Sequence, residues 1–165
     1  MFQGKLEAIY IGSVKAAPMK RVELARAIAG EGLEGDRYRL GNGTFSTYKA
    51  TGKAAEHHPQ DKQVTLIEAE AIEAAASDYD VRIDPAQSRR NLLVRGVPLN
   101  QLVGKEFLVG AVRLRGLRLC EPCGHLEKLT VPGIKTALLH RGGLRAEILG
   151  DGTLQSGDMV RSIAG

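Results

Sequence analysis

Tryptophan is absent from these 165 residues, and the aromatic content is three phenylalanines and four tyrosines. A core must therefore come from Leu, Ile, Val and Ala, and the aromatic platform on which single-stranded nucleic acids stack is missing. Polybasic blocks are absent as well. Lys and Arg outnumber Asp and Glu by 23 to 19, but the arginines are scattered or occur in pairs. The net charge of +4 permits an anionic ligand, while a dedicated nucleic-acid role is not expected. No apolar run approaches the ~20 residues that cross a bilayer. Met1-Phe2-Gln3-Gly4-Lys5 leads into an alternating segment rather than an apolar signal core, so a cytoplasmic location is the expectation. Only two cysteines occur, Cys120 and Cys123. They are too close in sequence to staple a fold, and free thiols in a reducing compartment are expected.

What is plentiful is glycine, with 20 residues. Glycine-punctuated short apolar runs favour a β-rich fold over a helical bundle. Lys5 to Ile11 alternates as a half-buried strand does. Val22 to Ala29 reads as a second extended segment, broken at Gly30, Gly32 and Gly35. Residues 41 to 62 carry no sustained period and read as a long mobile loop, a lid in a compact domain. Order returns at Val64, where Thr65 and Glu68 have capping-box spacing ahead of an alanine-rich helix, Glu68 to Ser77. Arg89 to Val94 is a strand candidate. Phe107 to Val109 and Val112 to Leu119 are two strands turning at Gly110-Ala111.

In the second of that pair the apolar parity flips after Gly116. A bulge there restores one apolar face and leaves Arg113, Arg115 and Arg118 together on the other. Pro122 starts a short helix through Leu129, and Ile134 to Leu139 forms another. Arg145 to Leu149 and Met159 to Ile163 close the chain as strands joined across Asp151-Gly152, a favoured hairpin turn. Many short strands and few helices in one domain spanning 1–165 imply a barrel or a sandwich.

Chemistry concentrates in Arg118-Leu119-Cys120-Glu121-Pro122-Cys123-Gly124-His125. Cys123 follows Pro122 in the expected first helical turn, where backbone N–H groups favour thiolate over thiol. Glu121 and Glu127 oppose that shift. Two inert, buried cysteines flanking a turn form the bland alternative. A zinc site has only half a signature, with His125 and His140 nearby but no second ligand pair. A thioredoxin-type redox pair lacks its βαβ setting.

Arg89-Arg90-Asn91 could hold a phosphate or carboxylate with two guanidinium forks and an amide. Taken alone, a solvated strand end is the more frequent explanation. Gly32-Leu33-Glu34-Gly35-Asp36-Arg37 is a turn from which Arg37 could reach an anion. His140-Arg141-Gly142-Gly143-Leu144-Arg145 joins an imidazole and two guanidiniums to a flexible turn, an anion-facing loop or an ordinary connection.

In this order, Gly-Leu-Glu-Gly-Asp-Arg at 32–37, Arg-Arg-Asn-Leu at 89–92, Cys-Glu-Pro-Cys at 120–123 and Gly-Asp at 157–158 resemble the MOSC domain. That domain is the C-terminal part of molybdenum cofactor sulfurases, and the likeness is closest to short bacterial proteins made of it alone. The resemblance implies a mainly β fold, a closed mixed barrel like the small barrel domain of pyruvate kinase, with a few short helices. It implies a cleft with a catalytic or molybdenum-ligating cysteine, matched here by Cys123. Arg90 and Asn91 match the family's strand start facing the cofactor, and Arg37 a further contact. The expected ligand is molybdenum cofactor or a related anionic pterin. Cys123 would carry sulfur as a persulfide or ligate the metal, and Arg37, Arg89, Arg90, Asn91, Arg118 and Arg145 would line the site. A sulfur donor or electron-transfer protein would be its partner. The desulfurase domain of the sulfurases has no counterpart, so pyridoxal phosphate is not expected here. A reductase of N-hydroxylated compounds and a non-catalytic binding module are the competing readings.

Overall fold

A computed structural model describes residues 1–13, 17–36 and 63–163. Arg37 and the expected lid at 41–62 lie outside the described residues. The chain runs through β1 (Gln3–Ile11), β2 (Lys20–Val22), β3 (Leu24–Ile28), β4 (Gly32–Leu33), β5 (Val64–Glu68) and α1 (Ala69–Tyr79). Then follow β6 (Leu92–Arg95), β7 (Glu106–Val109), β8 (Val112–Leu119), α2 (Gly124–Leu129) and α3 (Ile134–Ala137). The last strands are β9 (Leu144–Ile148), β10 (Gly152–Gln155) and β11 (Met159–Ser162).

Seven strands close a barrel in the order β11, β7, β8, β9, β5, β6, β1 and back to β11, with β2 added along the far half of β1. Every neighbouring pair is antiparallel except β5 with β6, so the barrel is mixed. Among the described residues the fold is therefore mainly β with three short helices, as the resemblance implied. Helix α1 belongs to the crossover that a parallel pair needs. A small sheet of β10, β3 and β4 stands apart. No described helix is long and apolar enough to cross a membrane.

Two apolar clusters follow from strand alternation. Val64, Leu66, Leu92, Phe107, Leu114 and Leu144 point into the barrel. Ile67, Leu93 and Tyr10 point outward and are covered by Ile72, Leu126, Ile134 and Leu138. The barrel wall at β5 and β6 is thus buried on both faces, which explains why its strands read as continuous apolar runs. Each fully buried Leu or Phe contributes roughly 1.5–3 kcal/mol.

The expected bulge is present. Pairing of β8 with β9 passes from Gly116 opposite Ala146 to Arg118 opposite Arg145, stepping over Leu117. Glycine is required at 116 because a Cβ would collide with the Leu102 carbonyl. Leu114 consequently stays inside while Arg113, Arg115 and Arg118 share the outer side.

Four local expectations are corrected. Thr65 does not cap α1: it lies in β5, and Glu68 is the N-cap without a side-chain hydrogen bond. The spacing was right, but Thr65 is committed to the sheet. Arg89 does not open a strand; it ends a 3-10 turn, Pro85–Ser88, in the left-handed conformation at φ 66°, and β6 begins at Leu92. Helix α2 starts at Gly124, leaving Cys123 as its N-cap. Asp151-Gly152 does not join β9 to β11. The Asp151 carboxylate accepts from Ala29 N at 2.7 Å, and Gly152 begins β10, which pairs with β3.

Candidate functional site

The approach to β6 is built into the fold. Asp84 caps the preceding 3-10 turn, its Oδ1 accepting from Ala86 N at 2.9 Å, while Gln87 Oε1 accepts from Asp84 N at 2.8 Å. Arg89 Nη1 donates to the Ala17 carbonyl, and this arginine makes further interactions. Arg90 reaches across to two backbone carbonyls, Nε to Gly142 O at 2.8 Å and Nη2 to Cys120 O at 3.1 Å. The approach to β6 therefore lies beside the cysteine loop, and Arg90 is the strap between them.

Asn91 is fully buried. Its Oδ1 accepts from Thr65 N at 3.1 Å and from Thr65 Oγ1 at 3.2 Å. Its Nδ2 donates to Tyr10 O at 3.1 Å and to Asp36 Oδ1 at 3.2 Å. That accounts for both acceptor sites and both donors of the amide. Asn91 ties β1, β5 and β6 together with the Gly35-Asp36 turn, and it presents no side-chain group to a ligand. Asp36 is buried with it and also accepts from Gly12 N at 3.1 Å.

The two cysteines occupy opposite environments. Cys120, three residues before Cys123, is 3% exposed, and its N–H donates to Gly143 O at 2.7 Å. Cys123 is exposed, in extended backbone at φ −135°, with its carbonyl accepting from Glu127 N at 3.2 Å. The thiol of Cys123 makes no capping hydrogen bond to α2. The loop beneath is closely packed, since a Cβ on Gly142 would strike the Cys120 carbonyl and approach Pro122 Cδ at 2.8 Å. Among the described residues no three His, Cys, Asp or Glu side chains converge as a metal cage, so the half-signature for zinc is not completed there.

The arginine wall on β8 divides in two. Arg115 Nη1 donates to Glu147 at 2.8 Å and its Nη2 to Glu106 at 2.8 Å, while Arg113 Nη1 donates to Glu106 at 3.0 Å. Hydrogen bonding to Arg115 holds the Glu106 carboxyl below its usual range. Farther along, Arg118 stands directly opposite Arg145 of β9, and Arg145 opposite Thr65 of β5. Both arginines make further interactions. Like charges facing each other across a ladder repel, and an anion between them lowers that cost. Arg118, Arg145 and Cys123 thus lie at or just beyond the joined ends of β8 and β9.

Sequence reasoning missed the link between Glu121 and His140. Glu121 Oε2 accepts from His140 N at 3.3 Å and from His140 Nδ1 at 3.1 Å. Nothing in a spacing of 19 residues signals that contact. The left-handed backbone of His140, φ 62°, is likewise invisible without the fold.

The sequence model of the MOSC domain matches residues 48–161. The chain belongs to the MOSC domain family. Among solved structures, this MOSC chain is similar to the YuaD protein from Bacillus subtilis, with TM-score 0.75 and 19% identity, covering 99% of this chain and 100% of that one. It is similar to YiiM from Geobacillus stearothermophilus, with TM-score 0.68 and 12% identity, covering 98% and 75%. YiiM from Escherichia coli gives TM-score 0.67 and 15% identity, covering 99% and 70%. At these identities the likeness establishes the fold. No curated protein matches.

Proposed function

We propose that this MOSC domain binds molybdenum cofactor, or a related anionic pterin, at the β8–β9 rim, with Cys123 as its sulfur ligand or sulfur carrier. The observation that carries the reading is the contrast between the thiols: of two cysteines in one loop, Cys120 is sealed and Cys123 faces solvent. The donor set suits such a group. A single accessible sulfur is a soft donor for molybdenum. When bound, the cofactor would supply a molybdenum centre for sulfur transfer or redox chemistry.

The chain's own contributions divide by position. Cys123 offers its thiol. Arg118 and Arg145 would hold the phosphate, through charge-assisted hydrogen bonds worth roughly 1.5–3 kcal/mol each. Arg90 fixes the cysteine loop through the Cys120 carbonyl, and Arg89 and Asn91 act through the architecture at β6. Arg37, outside the described residues, would be a further phosphate contact by the family resemblance.

The test is molybdenum and pterin content after expression in cofactor-producing cells supplied with molybdate. Wild type should retain both, and Cys123→Ser should lose them with an unchanged melting curve. Empty wild-type protein, or full retention by Cys123→Ser, rejects the reading.

A further inference from the structure

We propose that Glu121 and His140 are positioning residues for the Cys123 thiol, clasping the cysteine loop to the loop that precedes β9. The proposal rests on reading Cys123 as the ligand-facing thiol. Glu121 directly follows Cys120 on the way to Cys123, and one of its oxygens collects both the backbone N–H and the Nδ1–H of His140. His140 is itself held: its carbonyl accepts from Asn100 Nδ2 at 2.8 Å, anchoring the clasp to the 3-10 turn Leu99–Leu102. Its left-handed backbone is uncommon for a residue other than glycine, and such conformations persist where surroundings enforce them.

The remaining ties lie at Cys120 rather than at Cys123. Arg90 grips the carbonyls of Cys120 and Gly142, and Cys120 N binds Gly143 O. Those contacts fix where the loop leaves β8. Glu121 is the next residue, and its side chain is the tie nearest Cys123 on the β8 side. On the other side the Cys123 carbonyl is held by α2, a helix of six residues. Between its two fastened ends the 121–123 segment packs at Pro122 over Gly142, and the clasp adds a side-chain tie beside that packing. Both partners are substantially exposed, 75% for His140 and 41% for Glu121. Exposed ion pairs contribute little to global stability, so the clasp acts on local geometry and must be read locally.

A nitroxide label on Cys123, which Cys120 is too buried to take, reports that geometry by electron paramagnetic resonance in cofactor-free protein. Wild type should show an immobilised component. Glu121→Ala should lose it, Glu121→Gln should keep most of it because an acceptor oxygen remains, and His140→Gly should lose part. The glycine keeps the backbone N–H and suits the left-handed conformation. Molybdenum retention should fall in Glu121→Ala and recover in Glu121→Gln. Identical spectra in all four proteins overturn the clasp, as does a lowered melting temperature in Glu121→Ala with an unchanged spectrum below the transition. The spectra need no cofactor, so a clasp that fails them is rejected even when wild type holds molybdenum. A wild-type label that is immobilised and that Glu121→Ala sets free, in a protein that never binds molybdenum, supports the clasp while rejecting the proposed ligand.

Discussion

The approach to β6 and the joined ends of β8 and β9 carry similar side chains and use them differently. At 89–91, two arginines and an asparagine turn inward: Arg90 holds two carbonyls, and Asn91 has its amide fully engaged under the sheet. At the other region Arg118 and Arg145 stand side by side on the outer face, and Cys123 is open to solvent just beyond. At Asn91 every donor and acceptor of the amide is engaged within the fold, which leaves it nothing to offer an anion. Arg113 and Arg115, on the same strand as Arg118, illustrate the same point, because Glu106 and Glu147 take up their charge. The comparison assigns architecture to the first region, and recognition at the second is our proposal.

The sharpest way to break it is Asn91→Ala. The substitution strands the Thr65 N–H, the Tyr10 carbonyl and one contact of Asp36 in a buried setting. With about 1–3 kcal/mol for each unsatisfied group, urea unfolding should show a loss of at least ~3 kcal/mol. A loss near zero would mean that Asn91 is dispensable to the fold and available to a ligand. Arg90→Ala should cost about 1–3 kcal/mol by the same measurement, with faster amide exchange at 119–124 and 141–144. Arg90→Lys should recover little, since an ammonium cannot span the two carbonyls. Unchanged stability would return Arg90 to the recognition side.

Two carboxylates sharpen the contrast through pH. Burial, reinforced by Glu70, raises the Glu68 carboxyl above its ordinary 4.5, while Arg141 pulls the other way. The folded state then keeps a proton that the unfolded state releases. This contribution is present below 4.5 and disappears as pH rises through the raised folded value. Glu68→Gln should therefore stabilise the protein relative to wild type at neutral pH, with the gain vanishing in acid. Glu106 has the opposite sign. Hydrogen bonding to Arg115 lowers it, so its contribution is present above 4.5 and is lost as pH falls through the folded value. The smallest effect is expected for Glu106→Gln at neutral pH, a slight destabilisation that high salt abolishes. Melting curves across pH and salt for both variants check the two signs.

A β-rich fold was legible because alternation and glycine placement carry through to structure, while the closed barrel was implied by the family resemblance. The parity flip at Gly116 alone predicted the bulge that sets Arg118 on the outer face, and that bulge is present. The ordered motifs led to the MOSC family, whose sequence model matches residues 48–161. Less legible was the use of each polar group. Arg90 and Asn91 look like ligand contacts in sequence, but their partners, Cys120, Gly142, Tyr10 and Asp36, come from distant segments. The Asp151-Gly152 turn misled for a related reason: a local hairpin signal gave way to pairing of β10 with β3, more than 120 residues away in the chain. Glu121 and His140 gave no signal at all, because only the packing of two loops brings them together.

The central claim is that recognition belongs to the β8–β9 rim, and binding of purified molybdenum cofactor by titration calorimetry tests it most directly. Wild type, Arg118→Ala and Cys123→Ser should be compared, with melting curves alongside. The account predicts binding weakened by about ten- to a hundredfold in each variant, from the loss of one charge-assisted hydrogen bond or of the sulfur contact, with stability nearly unchanged. Wild-type affinity in both variants would contradict it.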